Sequence, residues 1–455
     1  MITDLTQGNI HKRLWLFSLP MLVSVIFQQI YNIADSMIAG KFVGEDALSA
    51  VGASYPVTMI FMAVAMGCNI GCAVVISHLF GAKRYGEMKT AISTTVIASV
   101  TLSVLLTVLG LALSVPIMRL IQTPDNIFSD AILYLNIYIG GLVFLFLYNV
   151  CTGIFTSLGD SRTPLYFLIG SSVGNIILDL VFVIVFRMGV GGVAWATFLA
   201  QGVACVLSLL TLWRRVERIE TTEENRRFSW PMLGRISRIA VPSILQQSFV
   251  SVGNICIQGL VNSCGSSVIA GYSAAVKLNT FAITAFTTLA NGLSSFTAQN
   301  LGAQKWERVT KGFRSGCLMA VLVVLPFTLF YFFFHTTAVE LFLNAESDQA
   351  LQTGSAFLRM VAPFYAVIAI KLMADGVLRG AGSMMQFMVA TFTDLILRVI
   401  LAFLLFPVWG TDGIWLSWPI GWTAATILSC LFYRFGAWRK PAVQKETAFQ
   451  AEAEE

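Results

Sequence analysis

Seven stretches of this 455-residue chain carry no Asp, Glu, Lys or Arg: 47–82, 90–118, 131–159, 188–213, 239–276, 278–304 and 315–339. A helix needs about 20 apolar residues to cross the hydrocarbon of a bilayer, and every one of these runs exceeds that. Only 12% of the residues are charged, against roughly a quarter in soluble domains, and the mean hydropathy is +0.77. A soluble chain of this length has no core large enough to hide so much apolar surface. The composition excludes a soluble enzyme, a disordered chain and a nucleic-acid binder, and it makes the lipid bilayer an obligatory partner.

Dividing the apolar runs at Gly, Pro and polar clusters predicts twelve spans, near 14–40, 47–80, 91–120, 131–158, 164–187, 192–213, 238–263, 267–299, 314–343, 351–379, 386–407 and 413–434. The expected fold class is an all-α integral membrane protein. Basic residues set the orientation. With twelve spans, one set of connections holds 22 of the 29 Lys and Arg, and the opposite set holds three, Lys41, Arg119 and Arg187. The other four, Lys277, Arg359, Lys371 and Arg398, fall inside spans. This partition predicts a multi-pass protein of the cell (inner) membrane with both termini cytoplasmic. The polar start through Arg13 runs into an apolar segment too long for a signal peptide, so no cleavage is expected.

The highly charged stretch near 214–237 divides the chain into copies. Pro20 and Asn32 match Pro242 and Asn254 at an offset of 222, Gly44 and Gly71 match Gly265 and Gly292 at 221, and Gly153 and Gly159 match Gly376 and Gly382 at 223. The same register relates Gly81-Ala82 to Gly302-Ala303 and Gly189 to Gly410. The expected organisation is an N-lobe over 1–213, a cytoplasmic linker over 214–237, a C-lobe over 238–434 and a cytoplasmic tail over 435–455, which is expected to be disordered beyond Arg439. Six spans per copy make the repeats parallel, as in transporters whose two pseudo-symmetric bundles rock around a central cavity; a duplicated channel is the alternative use of such a scaffold.

An ionisable side chain at mid-bilayer costs roughly 2.5–3.5 kcal/mol on insertion scales, so each needs a reason. In the first copy, Gln28, Asn32 and Asp35 share one face of span one, and Ser171, Asn175 and Asp179 share one face of span five. Span four carries Asn149, Thr152 and Thr156, and span six carries Thr197 and Gln201, again at helical spacing. Neither Asp35 nor Asp179 has a basic residue three or four positions away. In the second copy Asp375 has Lys371 and Arg379 at four residues, and Asp394 has Arg398; such acids can be neutralised by their own helix and read as structural pairs. The repeat sets Asn175 against Arg398, Asp179 against Ala402 and Asp35 against Ile257, so the unpaired acids are not duplicated. The first copy is therefore expected to hold a cation site built from Asp35, Asn149, Asn175, Asp179 and Thr197. Carboxylate and amide oxygens are hard ligands suited to Na⁺ or to a proton relay. The plainer alternative is that these groups only hydrogen-bond helices together.

Eight cysteines lie almost entirely in apolar runs and read as small packing residues rather than metal ligands. The only histidines are His11, His78 and His335, HExxH is missing, and no nucleophile–base constellation appears, so an intramembrane enzyme is not expected. No Walker A string occurs, so ATP is not the expected driver.

These features resemble the multidrug and toxic compound extrusion (MATE) transporters. The resemblance rests on LPMLVSVIFQQIYNIADSMIAG at 19–40, GAKR at 81–84 with its copy GAQK at 302–305, LGDSRTP at 158–164, GNIILD at 174–179, GVGGVAWAT at 189–197 and LRGAG at 378–382. It implies twelve helices in two six-helix lobes around a central cleft, and export of organic, often cationic, compounds by antiport with Na⁺ or H⁺. Position by position, Asp35, Asn149, Asn175, Asp179 and Thr197 match the branch of the family whose cation site lies in the N-lobe. Gln28, Tyr31, Tyr138, Gln246 and Gln247, with Met66, are candidates to line the substrate cleft. The expected partners are a small organic substrate and the bilayer, with no nucleic acid, no cofactor beyond the coupling ion and a monomeric state. The rival within the same superfamily is a lipid-linked saccharide flippase, which needs a basic cleft to hold a pyrophosphate.

Overall fold

The computed structural model describes residues 3–38, 42–341, 348–436 and 438. Among them the chain is almost entirely helical and holds no strand. In membrane this is the economical answer, because an α-helix satisfies its own backbone groups where no water can. The helices are α1 (Ile10–Ile38), α2 (Glu45–Gly81), α3 (Tyr85–Leu120), α4 (Asp125–Gly140), α5 (Leu142–Ser157), α6 (Arg162–Leu180), α7 (Gly189–Glu217), α8 (Trp230–Asn262), α9 (Ser266–Gly302), α10 (Trp306–Phe333), α11 (His335–Glu340), α12 (Asp348–Val361), α13 (Tyr365–Gly380), α14 (Met384–Trp409) and α15 (Thr411–Phe435). A π-helical segment, Val181–Val185, extends α6, and a 3₁₀ turn, Ala362–Phe364, joins α12 to α13.

Eleven helical runs are long and apolar enough to span a bilayer, and α4 with α5, bent by 48°, makes a twelfth. Each answers one predicted span. The bend falls at Gly140–Gly141, where two residues without Cβ weaken the helix. Helices α3 and α8 start earlier than their spans because charged residues lie in their opening turns, Glu87 and Lys89 in one and Arg235 in the other, ahead of the charge-free stretches. Between α7 and α8 only 218–229 is non-helical. The expected tail beyond Arg439 lies outside the described residues, as do Lys41 and the end of span nine.

The chain divides into two compact units. The first comprises Leu19–Ile244 with the first residues through Asp4; the second comprises Leu5–Ser18 with the chain from Leu245 onward. In the first unit α2 packs on α4 and α5, and α7 on α4, α5 and α6, around a core that includes Phe61, Leu135, Ile139, Leu142 and Phe146. Close approach depends on small residues: a Cβ on Gly71 of α2 would stand 2.6 Å from the Ala240 Cβ of α8. In the second unit α9 packs on α12 and α13, and α14 on α15; Tyr272, Phe357, Trp415 and Trp418 form a contiguous aromatic cluster. The outward faces of α3 (Leu105, Val108, Leu109) and α14 (Ile396, Ile400, Phe403) are apolar and exposed, as lipid contact requires.

The repeat is visible in the backbone. Left-handed φ recurs at matched positions: 60° at Lys83 and 57° at Gln304, 74° at Gly159 and 71° at Gly382, 58° at Gly189 and 57° at Gly410. Each unit also holds a docked strap. Leu5 N donates to Gln299 Oε1 (3.0 Å) and Arg308 Nη1 to the Gly8 carbonyl (3.0 Å) in the second unit. In the first, Gly86 N donates to Glu223 Oε2 (2.7 Å) and Ser229 N to Thr94 Oγ1 (3.1 Å).

Candidate functional site

Helix α1 carries Tyr31 and Asp35 four residues apart, α6 carries Asn175 and Asp179 four apart, and α7 carries Thr197. That spacing puts each pair on one face, and the fold turns the faces together inside the first unit. Asp179 is fully buried, Asn175 is 2% exposed, and Asp35 and Thr197 are half-buried. The Asp35 and Asp179 carboxyl groups come within hydrogen-bonding reach of each other. Asn175 Nδ2 donates to Thr197 Oγ1 at 3.4 Å, and Thr197 Oγ1 donates to the Val193 carbonyl at 3.1 Å. The Tyr31 hydroxyl also reaches Thr197.

What these groups lack is donors. Asp35 Oδ1, both Asp179 oxygens and Asn175 Oδ1 are buried with no hydrogen-bond donor among the described residues. A carboxylate only accepts. Two of them facing each other need a proton or a cation between them, and buried acceptors without donors call for such an explanation. The arrangement supplies hard oxygen ligands from two helices and a hydroxyl from a third.

The structure brings Asp35, Asn175, Asp179 and Thr197 together; Asn149 of α5 gives its Nδ2 to the Leu145 carbonyl of its own helix (2.8 Å). Among the cleft candidates, Tyr31 joins the acid site itself. Tyr138 lines a small cavity with Ile137, Gly141, Ala194, Thr197, Phe198 and Gln201, and Tyr134 completes its wall. Tyr134, which stands beside both carboxyls, is not among the residues singled out by sequence; its position one turn before Tyr138 was the available signal. Gln28 and Met66 are exposed, and Gln246 and Gln247 are half-buried on α8 in the second unit.

The second unit treats its acids differently. Lys371 Nζ lies 2.9 Å from Asp375 Oδ2, and Ser429 Oγ donates to Asp375 Oδ1 at 2.7 Å. Arg398 Nη2 donates to Asp394 Oδ2 at 2.7 Å and lays its guanidinium 4.3 Å from the Trp418 ring centre. All four charged groups are buried. Arg379, buried in the field of Asp375, also lays its guanidinium 5.3 Å from the Phe387 ring centre. Lys277 and Arg359 are exposed. Among the described residues no three His, Cys, Asp or Glu side chains gather as a metal centre would need.

The family model described as MatE matches the chain twice, over residues 20–181 and 242–404. The chain is 29% identical to the "Probable multidrug resistance protein YpnP" of Bacillus subtilis (strain 168), with 96% of this chain and 97% of that one covered. It is 24% identical to "Probable multidrug resistance protein YoeA" of the same organism, covering 97% and 96%. A solved MOP superfamily transporter from Pyrococcus furiosus shares the fold with a TM-score of 0.89 at 24% identity, over 96% of this chain and 98% of that one. The two family matches fall on the two sequence copies, each beginning at the proline that opens the repeat, and together they take in most of the spans. The chain belongs to the MatE family of membrane transporters.

Proposed function

We propose that this protein is a secondary multidrug exporter, moving organic and often cationic compounds outward by alternating access in exchange for Na⁺ or H⁺. The observation that carries the reading is the acceptor-only meeting of Asp35 and Asp179, three of whose four oxygens are buried without a donor. An ion entering this site relieves the repulsion between two facing acceptors, so its binding free energy is available to bias one conformation over another. The membrane potential adds about 2.3 kcal/mol per charge per 100 mV. The two Bacillus subtilis relatives, each named a probable multidrug resistance protein, support the choice of substrate class. Of the buried basic residues, Lys371 and Arg398 are committed to Asp375 and Asp394, and Arg379 lies against Phe387, which gives the flippase alternative little support. Placement in the cell membrane with both termini cytoplasmic follows from the distribution of Lys and Arg.

The test is uptake of a fluorescent organic cation into proteoliposomes under a Na⁺ gradient and a pH gradient imposed separately. One gradient drives accumulation in the wild type, and Asp35→Asn and Asp179→Asn each fall to the leak of empty vesicles. Undiminished gradient-driven transport in both variants would remove the acid pair from the mechanism.

A further inference from the structure

The two copies diverge in backbone geometry at one place close to the acids. Helix α6 widens into π-helical turns over Val181–Val185, two residues after Asp179, with Phe186 N donating to the Val181 carbonyl at 3.0 Å. Its counterpart α14 stays α-helical through Trp409, even across Pro407. Two residues beyond the π segment, Arg187 takes φ 53°, a left-handed value for a residue with a Cβ, in addition to the Gly189 corner that matches Gly410; its own counterpart at that offset, Val408, lies within helix α14. Left-handed backbone is strained for a residue with a Cβ. The irregular end of α6 is therefore a local expense of the first copy alone.

The composition of this segment makes it convertible. VFVIV is β-branched at four of its five positions, and such residues hold an α-helix weakly. A π turn stores one surplus residue in the helix. Moving that residue along the helix turns the residues it passes by about 100° relative to the rest, the angular step of one residue at 3.6 per turn, so if the passed stretch is held in place, the helix before it, Asp179 included, turns instead. The segment also has an anchor: Val183 packs with Val193 of α7 and with Val43, which follows α1 in the chain. Val183 thus packs against α7 and against the segment between α1 and α2, past the acids.

We infer that residues 181–185 are a register switch coupled to the acid pair: with an ion between Asp35 and Asp179 the π register is held, and on ion release the surplus residue passes toward Arg187, turning Asp179 away from Asp35. This rests on the ion-exchange reading above. It adds that the moving part is the end of α6, and that α14, lacking both acids and π turn, does not respond.

Hydrogen–deuterium exchange on the full-length protein in nanodiscs tests this, with transport measured on the same preparations. In the wild type, amides of 181–188 should exchange about tenfold differently with and without the coupling ion, while 403–410 stays unchanged. Asp179→Asn should abolish that difference. Ile184→Ala with Val185→Ala, both exposed positions, raises α propensity without opening a cavity and should shift 181–188 to the ion-free pattern in the presence of the ion. Ion-driven transport with identical exchange in 181–188 under both conditions overturns the switch and leaves the ion site standing. If no gradient drives transport, the ion-exchange reading fails and the switch fails with it.

Discussion

Two buried carboxyl pairs with opposite solutions occupy the two copies, and their single-residue consequences differ in sign. Lys371 and Arg398 neutralise Asp375 and Asp394 at 2.9 and 2.7 Å within the second unit. Removing one partner of a buried pair leaves an uncompensated charge, at a cost of about 3–5 kcal/mol; Lys371→Met should lower the thermal unfolding temperature in detergent sharply, and Lys371→Met with Asp375→Leu should recover most of the loss. Asp179→Asn should do the reverse. It places an amide donor opposite a carboxylate where two acceptors now face, so the unfolding temperature should hold or rise, by about 1 kcal/mol in stability, while coupled transport is lost. That opposition separates a site from a strut. The four polar residues that meet, Asp35, Asn175, Asp179 and Thr197, were legible because helical spacing sets each in the polar stripe of its own helix. Spacing could not show how Asn149 spends its amide: an asparagine within a helix can give it to its own backbone, as this one does at Leu145. Tyr134 was missed because a tyrosine in a membrane span looks like packing until its neighbours are known.

At the level of the helix, the twelve spans followed from charge-free length, and their interruptions did not. Hydropathy treats α4 and α5 as one run, yet they bend by 48° at paired glycines; it treats α6 as uniform, yet the last turns widen. Contact geometry offers firmer tests. Gly71→Val would push its Cβ into Ala240, whose backbone stands 2.9 Å away. Overpacking of this kind costs about 1–3 kcal/mol, and the loss should appear in thermal unfolding, with Gly71→Ala intermediate. Asp160 caps α6 by accepting from the Arg162 and Thr163 amides at 3.2 and 3.1 Å and pairs with Arg215 of α7. Asp160→Ala should cost more than the roughly 1 kcal/mol of a lost cap, because Arg215 loses its carboxylate too; Asp160→Asn should retain most of the capping part.

The whole chain is a doubled plan, and the doubling was the most legible feature of all: offsets of 221–223 between glycines in sequence reappear as matched backbone angles. What duplication could not convey was which copy holds the unpaired acids; that came from the charges that break the match. The orientation drawn from Lys and Arg is checked by reporter fusions: a cytoplasm-active reporter joined after Glu455 or within 219–228 should be functional, and one inserted beside Gln122 should not. The corners at 83 and 304 hold a further consequence. Lysine and glutamine have no preference for the left-handed turn each occupies, so the helices flanking them must dictate the bend. A residue free of that penalty should be welcome at both addresses: Lys83→Gly and Gln304→Gly should each raise the melting temperature, by about 0.5–1 kcal/mol in stability, and the gains should add, because a tension copied along with the fold can be released in each copy independently.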